Sequence, residues 1–291
     1  MLCQFSQSFP SFVEDFLEYS RTMGRSFREE SVTDILMSGL FTASSPYIHV
    51  QFPNETVTGA DMEWNFADVG TGRFFRIMLQ AKRAESKNKQ WQYHKYQQLD
   101  HQAAGALVET LRDFSRQAAV PTFPIYIFYN PLATTALTRA AGKRNVLGVN
   151  IADAYQIERV VKHGLKSGNR FKNLATLSPY MRPMTDLFCP TVQMRTTSSG
   201  KTTISFQTAA SDFTEAPTPD AIHERLTGMF FARAGSEGEI PAVPNVGTDI
   251  PDDVRIMIEP TLGARYASIS RRPERHNYWR VVFVSDSTRA P

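Results

Sequence analysis

The chain has 291 residues, 42% of them in the set AVILMFWYC and 21% charged, a balance that belongs to a folded globular protein and argues against a disordered or fibrous one. Lys plus Arg outnumber Asp plus Glu by 32 to 29, so overall charge permits a polyanionic partner without requiring one. Cys3 and Cys189 are too few for a disulfide framework or a thiolate zinc site, and each is read as a small buried or surface side chain; the six histidines show no H-E-x-x-H pattern.

The first residues lack a basic stretch followed by an apolar core, and nowhere do about 18 apolar residues run together, so a soluble cytoplasmic protein without membrane contact is expected. Residues 10–24 place Phe12, Val13, Phe16, Leu17 and Tyr19 at helical spacing before a glycine and predict a first helix. A second is predicted over 26–41, with Val32, Ile35, Leu36 and Leu40 as its apolar stripe and Gly39 near its end. Glu29 lies on the edge of that stripe, whereas Glu30 is rotated away and suits the first turn of a helix.

Three strands are predicted next, at 47–52, 59–66 and 73–82, the last two joined by the glycine-rich turn "ADVGTG". In the middle strand Asp61, Glu63 and Asn65 share one face, and Met62, Trp64 and Phe66 share the other. A long helix from about Gln90 to Ala119 and a buried strand at 124–130 complete an αβββαβ core with a mixed sheet flanked by helices, an α/β fold of about 130 residues. Further along, the pattern predicts a helix at 151–164, a hairpin at 191–208, a helix at 220–235, a loop at 236–255 and a final strand at 277–286. The division is therefore a core domain over 1–190 and a C-terminal α+β extension over 191–291. "TTSSGKTT" resembles a phosphate-binding loop, but Arg195 stands where its first glycine belongs and a strand follows, so it reads as a hairpin turn.

The stretch "IMLQAKRAES", 77–86, carries the chemistry. Antiparallel pairing sets the start of the middle strand beside the end of the next, and Gln80 and Lys82, two residues apart, share a face; if that is also the face of Asp61, the three converge. Glu29 at the start of the second helix is within reach. A carboxylate, an amide oxygen and an ammonium together suit phosphodiester hydrolysis: hard oxygens hold magnesium, and the lysine orients or deprotonates water or stabilises charge on the phosphate. Downstream, Arg83, Lys87, Lys89 and Lys95 are interleaved with Trp91, Tyr93 and Tyr96, a mixture that suits a phosphate backbone and stacked bases and equally suits a solvated helix start.

The order of these residues resembles the PD-(D/E)XK restriction-endonuclease-like nucleases. They are a helix glutamate with apolar residues at +3, +6 and +7 and glycine at +10 (Glu29, Val32, Ile35, Leu36, Gly39), then Asp61, then Q-x-K at Gln80 and Lys82. "QAKR" is similar to the Mrr-type variant, and "EESVTD", "GADMEW", "PIYIFYN" and "RPMTDLFC" are similar to an uncharacterised microbial family of this fold. The resemblance implies a metal-dependent endonuclease acting on nucleic acid, DNA by expectation, in antiphage defence or DNA processing. It implies Asp61 and Gln80 as metal ligands, Glu29 as a direct or water-mediated one, Lys82 as catalytic lysine, and Mg²⁺, replaceable by Mn²⁺, as cofactor. Gln80 is neutral and Ala60 precedes Asp61, so the site is one acid short of the family pattern, with Glu63 or Glu30 as compensating acids. Many nucleases of this kind act as homodimers, although no heptad pattern points to that in this chain. The alternatives are a non-catalytic nucleic-acid- or protein-binding module that keeps the fold, and an RNA-cleaving toxin.

Overall fold

Leu2, Phe9, Val13 and Leu17 are buried along one side of a helix α1 that runs from Leu2 to Thr22, eight residues further upstream than the sequence predicts. Pro10 reads as a helix start, yet it lies inside α1. Its missing N–H costs about 3 kcal/mol in a helix interior, and the apolar spacing that continues back through Phe9, Phe5 and Leu2 offsets it, with Phe5 and Phe9 stacked at 4.9 Å. This computed structural model describes residues 2–24, 27–44, 47–51, 60–86, 89–96, 99, 111, 115–116, 118–167, 170–189, 192–196, 202–206, 216–230, 241–259 and 279–288.

Helix α2 spans Glu29–Ser44 and buries Val32, Leu36, Met37 and Leu40 against α1. Gly39 does not end it. A Cβ at that position would come 2.6 Å from the Phe5 ring, so the glycine is there to let two helices approach.

Strands β1 (Ile48–Gln51), β2 (Met62–Asp68), β3 (Phe74–Glu85), β4 (Lys95–Tyr96), β5 (Thr122–Tyr129), β6 (Val149–Asp153) and β7 (Arg182–Pro183) belong to one mixed sheet. Between them lie helices α3 (Leu132–Ala140), α4 (Ala154–Ser167) and the short α5 (Leu174–Leu177), with α6 (Thr185–Phe188) following β7. β8 (Val192–Thr196) and β9 (Thr202–Phe206) form the predicted separate hairpin. Helices α7 (Pro219–Phe230) and α8 (Asp252–Ile258) precede β10 (Trp279–Ser285).

The order across the sheet is β1-β10-β2-β3-β5-β6-β7, with β4 paired to the end of β3. The last strand thus lies between β1 and β2, antiparallel to the first and parallel to the second. The boundary expected at residue 190 does not divide this sheet, because β10 from the C-terminal segment is one of its inner strands and α7 packs on the same core as α1 and α2. Strands β2 and β5, and β3 along nearly its whole length, are buried on both faces, as inner strands covered by helices must be.

One face carries Trp64, Phe66, Ile77, Leu79, Ile125 and Ile127 under α1, α2 and α7; the other carries Met78, Tyr126 and Phe128 under α4, and Ala67, Phe74 and Val282 under α8. The α/β class and the helix-flanked mixed sheet expected from the pattern are thus present.

Several local expectations are corrected. Residues from Gln90 do not begin a helix: Trp91–Tyr93 form a single 3₁₀ turn and Lys95 and Tyr96 pair with Glu85 and Ala84, because burial of Tyr96 against Phe128 outweighs helical propensity. Leu111, Ser115 and Arg116 are helical or buried as predicted, and most of the rest of that stretch lies outside the described residues. "IAD" at 151–153 is strand, not helix, and Asp252 opens a helix inside the predicted loop. Cys3 and Cys189, read as individual side chains, are joined in a disulfide with Cα atoms 4.6 Å apart, tying the start of α1 to the end of α6.

Candidate functional site

The site grows out of the β2–β3 pair. Met62 faces Leu79 in antiparallel register, and the Asp61 N–H donates to the Leu79 carbonyl at 2.9 Å, so Asp61 comes opposite Gln80 at the end of the hairpin. Gln80 and Lys82 continue along β3 on the same face, and the parallel pairing of β3 with β5 sets Tyr126 beside Gln80 and Phe128 beside Lys82.

Each predicted residue finds a distinct position. Asp61 accepts a hydrogen bond on Oδ2 from the Ala81 N–H at 2.7 Å, which fixes its carboxylate to the partner strand. Burial pushes its pKa up to about 6; the Lys82 ammonium and the Ala81 N–H pull it down, and Glu29 and Glu30 push it up. Lys82, 2% exposed, donates from Nζ to Glu29 Oε1 at 3.1 Å. Glu29 is the first residue of α2, whose apolar stripe packs in the opposite layer, so this ion pair joins the two layers. Glu30 is exposed on the same turn, and it is Glu29 that contacts Lys82. Gln80 is 1% exposed, and its Oε1 has no hydrogen-bond partner among the described residues.

Glu63 goes elsewhere. Although it shares the face of Asp61, its Oε1 lies 2.7 Å from Arg280 Nε and 3.6 Å from Arg76 Nε and accepts from Asn65 Nδ2 at 2.8 Å. Arg280 also pairs with Asp253 of α8 at 2.9 Å. The acid expected to compensate for Gln80 is therefore engaged with two guanidinium groups, one of them brought by the late strand β10.

The basic and aromatic stretch is only partly gathered. Arg83 is half-buried near the end of β3; Lys89, Tyr93 and Lys95 are exposed, and Arg170 lies over the Tyr93 ring at 4.9 Å. Lys87 lies outside the described residues.

Among the described residues no group of three or more His, Cys, Asp or Glu side chains is placed to hold a metal ion. The set that does converge is two acids and an amide. A buried amide oxygen without a partner costs roughly 1–3 kcal/mol, and a hard cation, which takes oxygen donors, would supply Gln80 Oε1 with the partner it lacks. Asp61 and Gln80 offer oxygen donors of the kind a divalent ion takes and would be the residues to hold one, while Glu29 is engaged by Lys82.

Sequence reasoning missed Tyr126. The run "PIYIFYN" reads as a uniformly buried strand, and only its register sets Tyr126 beside Gln80, where its phenol feels the Asp61 and Glu29 carboxylates. Tyr126 is fully buried, and its hydroxyl has no hydrogen-bond partner among the described residues. Burial first, then the Asp61, Glu158 and Glu29 carboxylates, raise its pKa well above that of a free phenol.

Among the described residues no helix is long and apolar enough to cross a membrane. The chain matches no curated protein and no solved structure. A family model does match, over residues 2–290, and by that match the chain belongs to DUF6615, a family of unknown function.

Proposed function

We propose that the protein is a metal-dependent nuclease of restriction-endonuclease-like fold that hydrolyses phosphodiester bonds, with DNA as its polymer and a role in antiphage defence or DNA processing. One observation carries the reading: Asp61, Gln80 and Lys82 stand on one face at the end of an antiparallel pair, and a helix glutamate, Glu29, contacts the lysine. The setting of defence or DNA processing rests on the resemblance of these residues to the nuclease superfamily.

In this reading Asp61 and Gln80 hold Mg²⁺, or Mn²⁺ in its place. Such an ion lowers the pKa of water and neutralises charge on the phosphate. Asp61 is kept in position by the Ala81 N–H. Glu29 holds the Lys82 ammonium by one of its three N–H groups, leaving the others to bond the phosphate as negative charge grows on it. Lys82 is almost fully buried, so its contact with phosphate is shielded from bulk water and correspondingly stronger. Arg83, Lys89, Tyr93 and Lys95 lie downstream on the same strand end and the turn after it, where they would meet the flanking backbone.

The test is cleavage of plasmid DNA, single-stranded DNA and structured RNA by wild type, Asp61→Ala and Lys82→Ala in Mg²⁺ or Mn²⁺. Wild type is expected to cut DNA, and each variant to lose about 10³-fold or more. Absence of cleavage of either polymer with any divalent ion, or variants that cut as well as wild type, sinks the nuclease reading in favour of a binding module. Cleavage of RNA alone identifies the toxin reading.

A further inference from the structure

Among the polar atoms buried without a partner in the described residues, Gln80 Oε1 and the Tyr126 hydroxyl belong to residues that are direct neighbours in the β3–β5 register. Chance placement is disfavoured, because each buried unsatisfied group costs free energy and a phenylalanine at 126 would fill the same space without that cost. Tyr129, three residues along the same strand, shows the ordinary fate of a buried hydroxyl in this protein: it faces the opposite layer and meets Thr33 Oγ1 at 3.2 Å.

The two orphaned groups also differ in kind. Gln80 Oε1 only accepts, whereas the Tyr126 hydroxyl, neutral throughout the working pH range, both donates and accepts. Its electrostatic neighbours are all carboxylates, Asp61 and Glu29 from the site and Glu158 from α4. A bare cation satisfies Gln80 and leaves the tyrosine unmatched. A cation with part of its hydration shell satisfies both, and magnesium in particular keeps several waters when carboxylates are few.

We propose that Tyr126 is a positioning residue for a hydrated divalent cation: its hydroxyl bonds a water of the ion's shell while Asp61 and Gln80 take the ion itself. This rests on the metal site proposed above and adds to it the group that compensates for the neutral Gln80. An outer contact of this type sets which positions of the ion remain open to substrate.

Mn²⁺ alone is the probe, titrated calorimetrically into the full chain, with thermal melts of the metal-free protein beside it. Tyr126→Phe is expected to weaken Mn²⁺ binding about 10-fold, the lower end of what loss of an outer-shell partner costs. The same variant is expected to raise the metal-free Tm by about 2–4 °C, because it removes a buried hydroxyl without a partner. Tyr96→Phe is the control, with the opposite signature: a lower metal-free Tm, from loss of the hydrogen bond its hydroxyl donates to Asn130 Oδ1, and unchanged Mn²⁺ affinity.

Tyr126→Phe that binds Mn²⁺ as wild type does, in a protein where Asp61→Ala abolishes binding, overturns this inference and leaves the metal site standing. A metal-free Tm that falls in Tyr126→Phe also overturns it, since the hydroxyl would then have a partner within the protein. Wild type that takes up no Mn²⁺ removes both the metal site and the role of Tyr126.

Discussion

Asp61 and Glu63 are two residues apart on one chain segment and face the same side of the sheet, yet their surroundings differ in what they leave undone. Around Glu63 charge is balanced: Arg76 and Arg280 bracket the carboxylate, Asn65 bonds both Glu63 and Arg76, and Asp253 takes the far side of Arg280. Around Asp61 charge and polarity are left over. Its carboxylate is held by one backbone N–H, Lys82 is taken by Glu29, and Gln80 and Tyr126 each keep a buried polar atom unpaired among the described residues. A buried group is stabilising only with its partners present; the charge of Glu63 is matched by two guanidinium groups although its Oε2 is itself unpaired among the described residues, whereas Asp61 shares a single ammonium, Lys82, with Glu29.

The largest effect that tests this contrast is on stability. Glu63→Ala takes from Arg280, 1% exposed, its buried partner and leaves it only Asp253, and is expected to cost about 3 kcal/mol, read as a lower urea midpoint, while the cleavage rate per folded molecule is unchanged. A variant that stays fully stable but loses cleavage would move Glu63 into the site.

Asp153 sharpens the comparison, since it is a fully buried acid whose Oδ2 is unpaired and which has no ion-pair partner among the described residues. Burial raises its pKa to about 7, opposed by the Tyr155 and Gln156 N–H groups at the start of α4. An acid whose folded pKa lies above its unfolded value of 3.8 binds more protons when folded, so stability falls as pH rises from about 4 to 7 and stays low above that. Asp153→Asn is therefore expected to stabilise by about 2–4 kcal/mol at pH 8 and to have little effect at pH 4. Denaturant midpoints at the two pH values measure this, and equal gains at both would refute the assignment.

The smallest expected effect bears on the weak point of the site. Gln80→Glu adds the missing acid beside Asp61 and is expected to tighten Mn²⁺ binding by about 10-fold. Calorimetry showing equal or weaker affinity would place the ion away from residue 80.

The convergence of Asp61, Gln80 and Lys82 is legible in the sequence because it is local: alternation fixes a face, and a six-residue turn fixes which ends meet. Glu29 follows from its offset to the apolar stripe of α2. What escapes such reading depends on partners distant in sequence. Nothing in "PIYIFYN" states that Tyr126 will stand beside Gln80, and nothing in "GADMEW" states that Glu63 will meet an arginine of the last strand. Parallel pairing leaves no turn signature between its members, so β10 reads as a terminal addition when it is an inner strand. Pro10 obscures the start of α1, and Gly39, which has the look of a helix end, is a site of helix contact.

The place of β10 also sets a timetable. During synthesis β1 and β2 leave the ribosome roughly two hundred residues before the strand that separates them. At about 5–20 residues per second, both wait roughly 10–40 s with facing edges unpaired. Through that interval the carboxylate of Glu63 has no Arg280, and the β2 edge offers its backbone to any strand that arrives first. The newborn chain must keep a gap open for its own last strand.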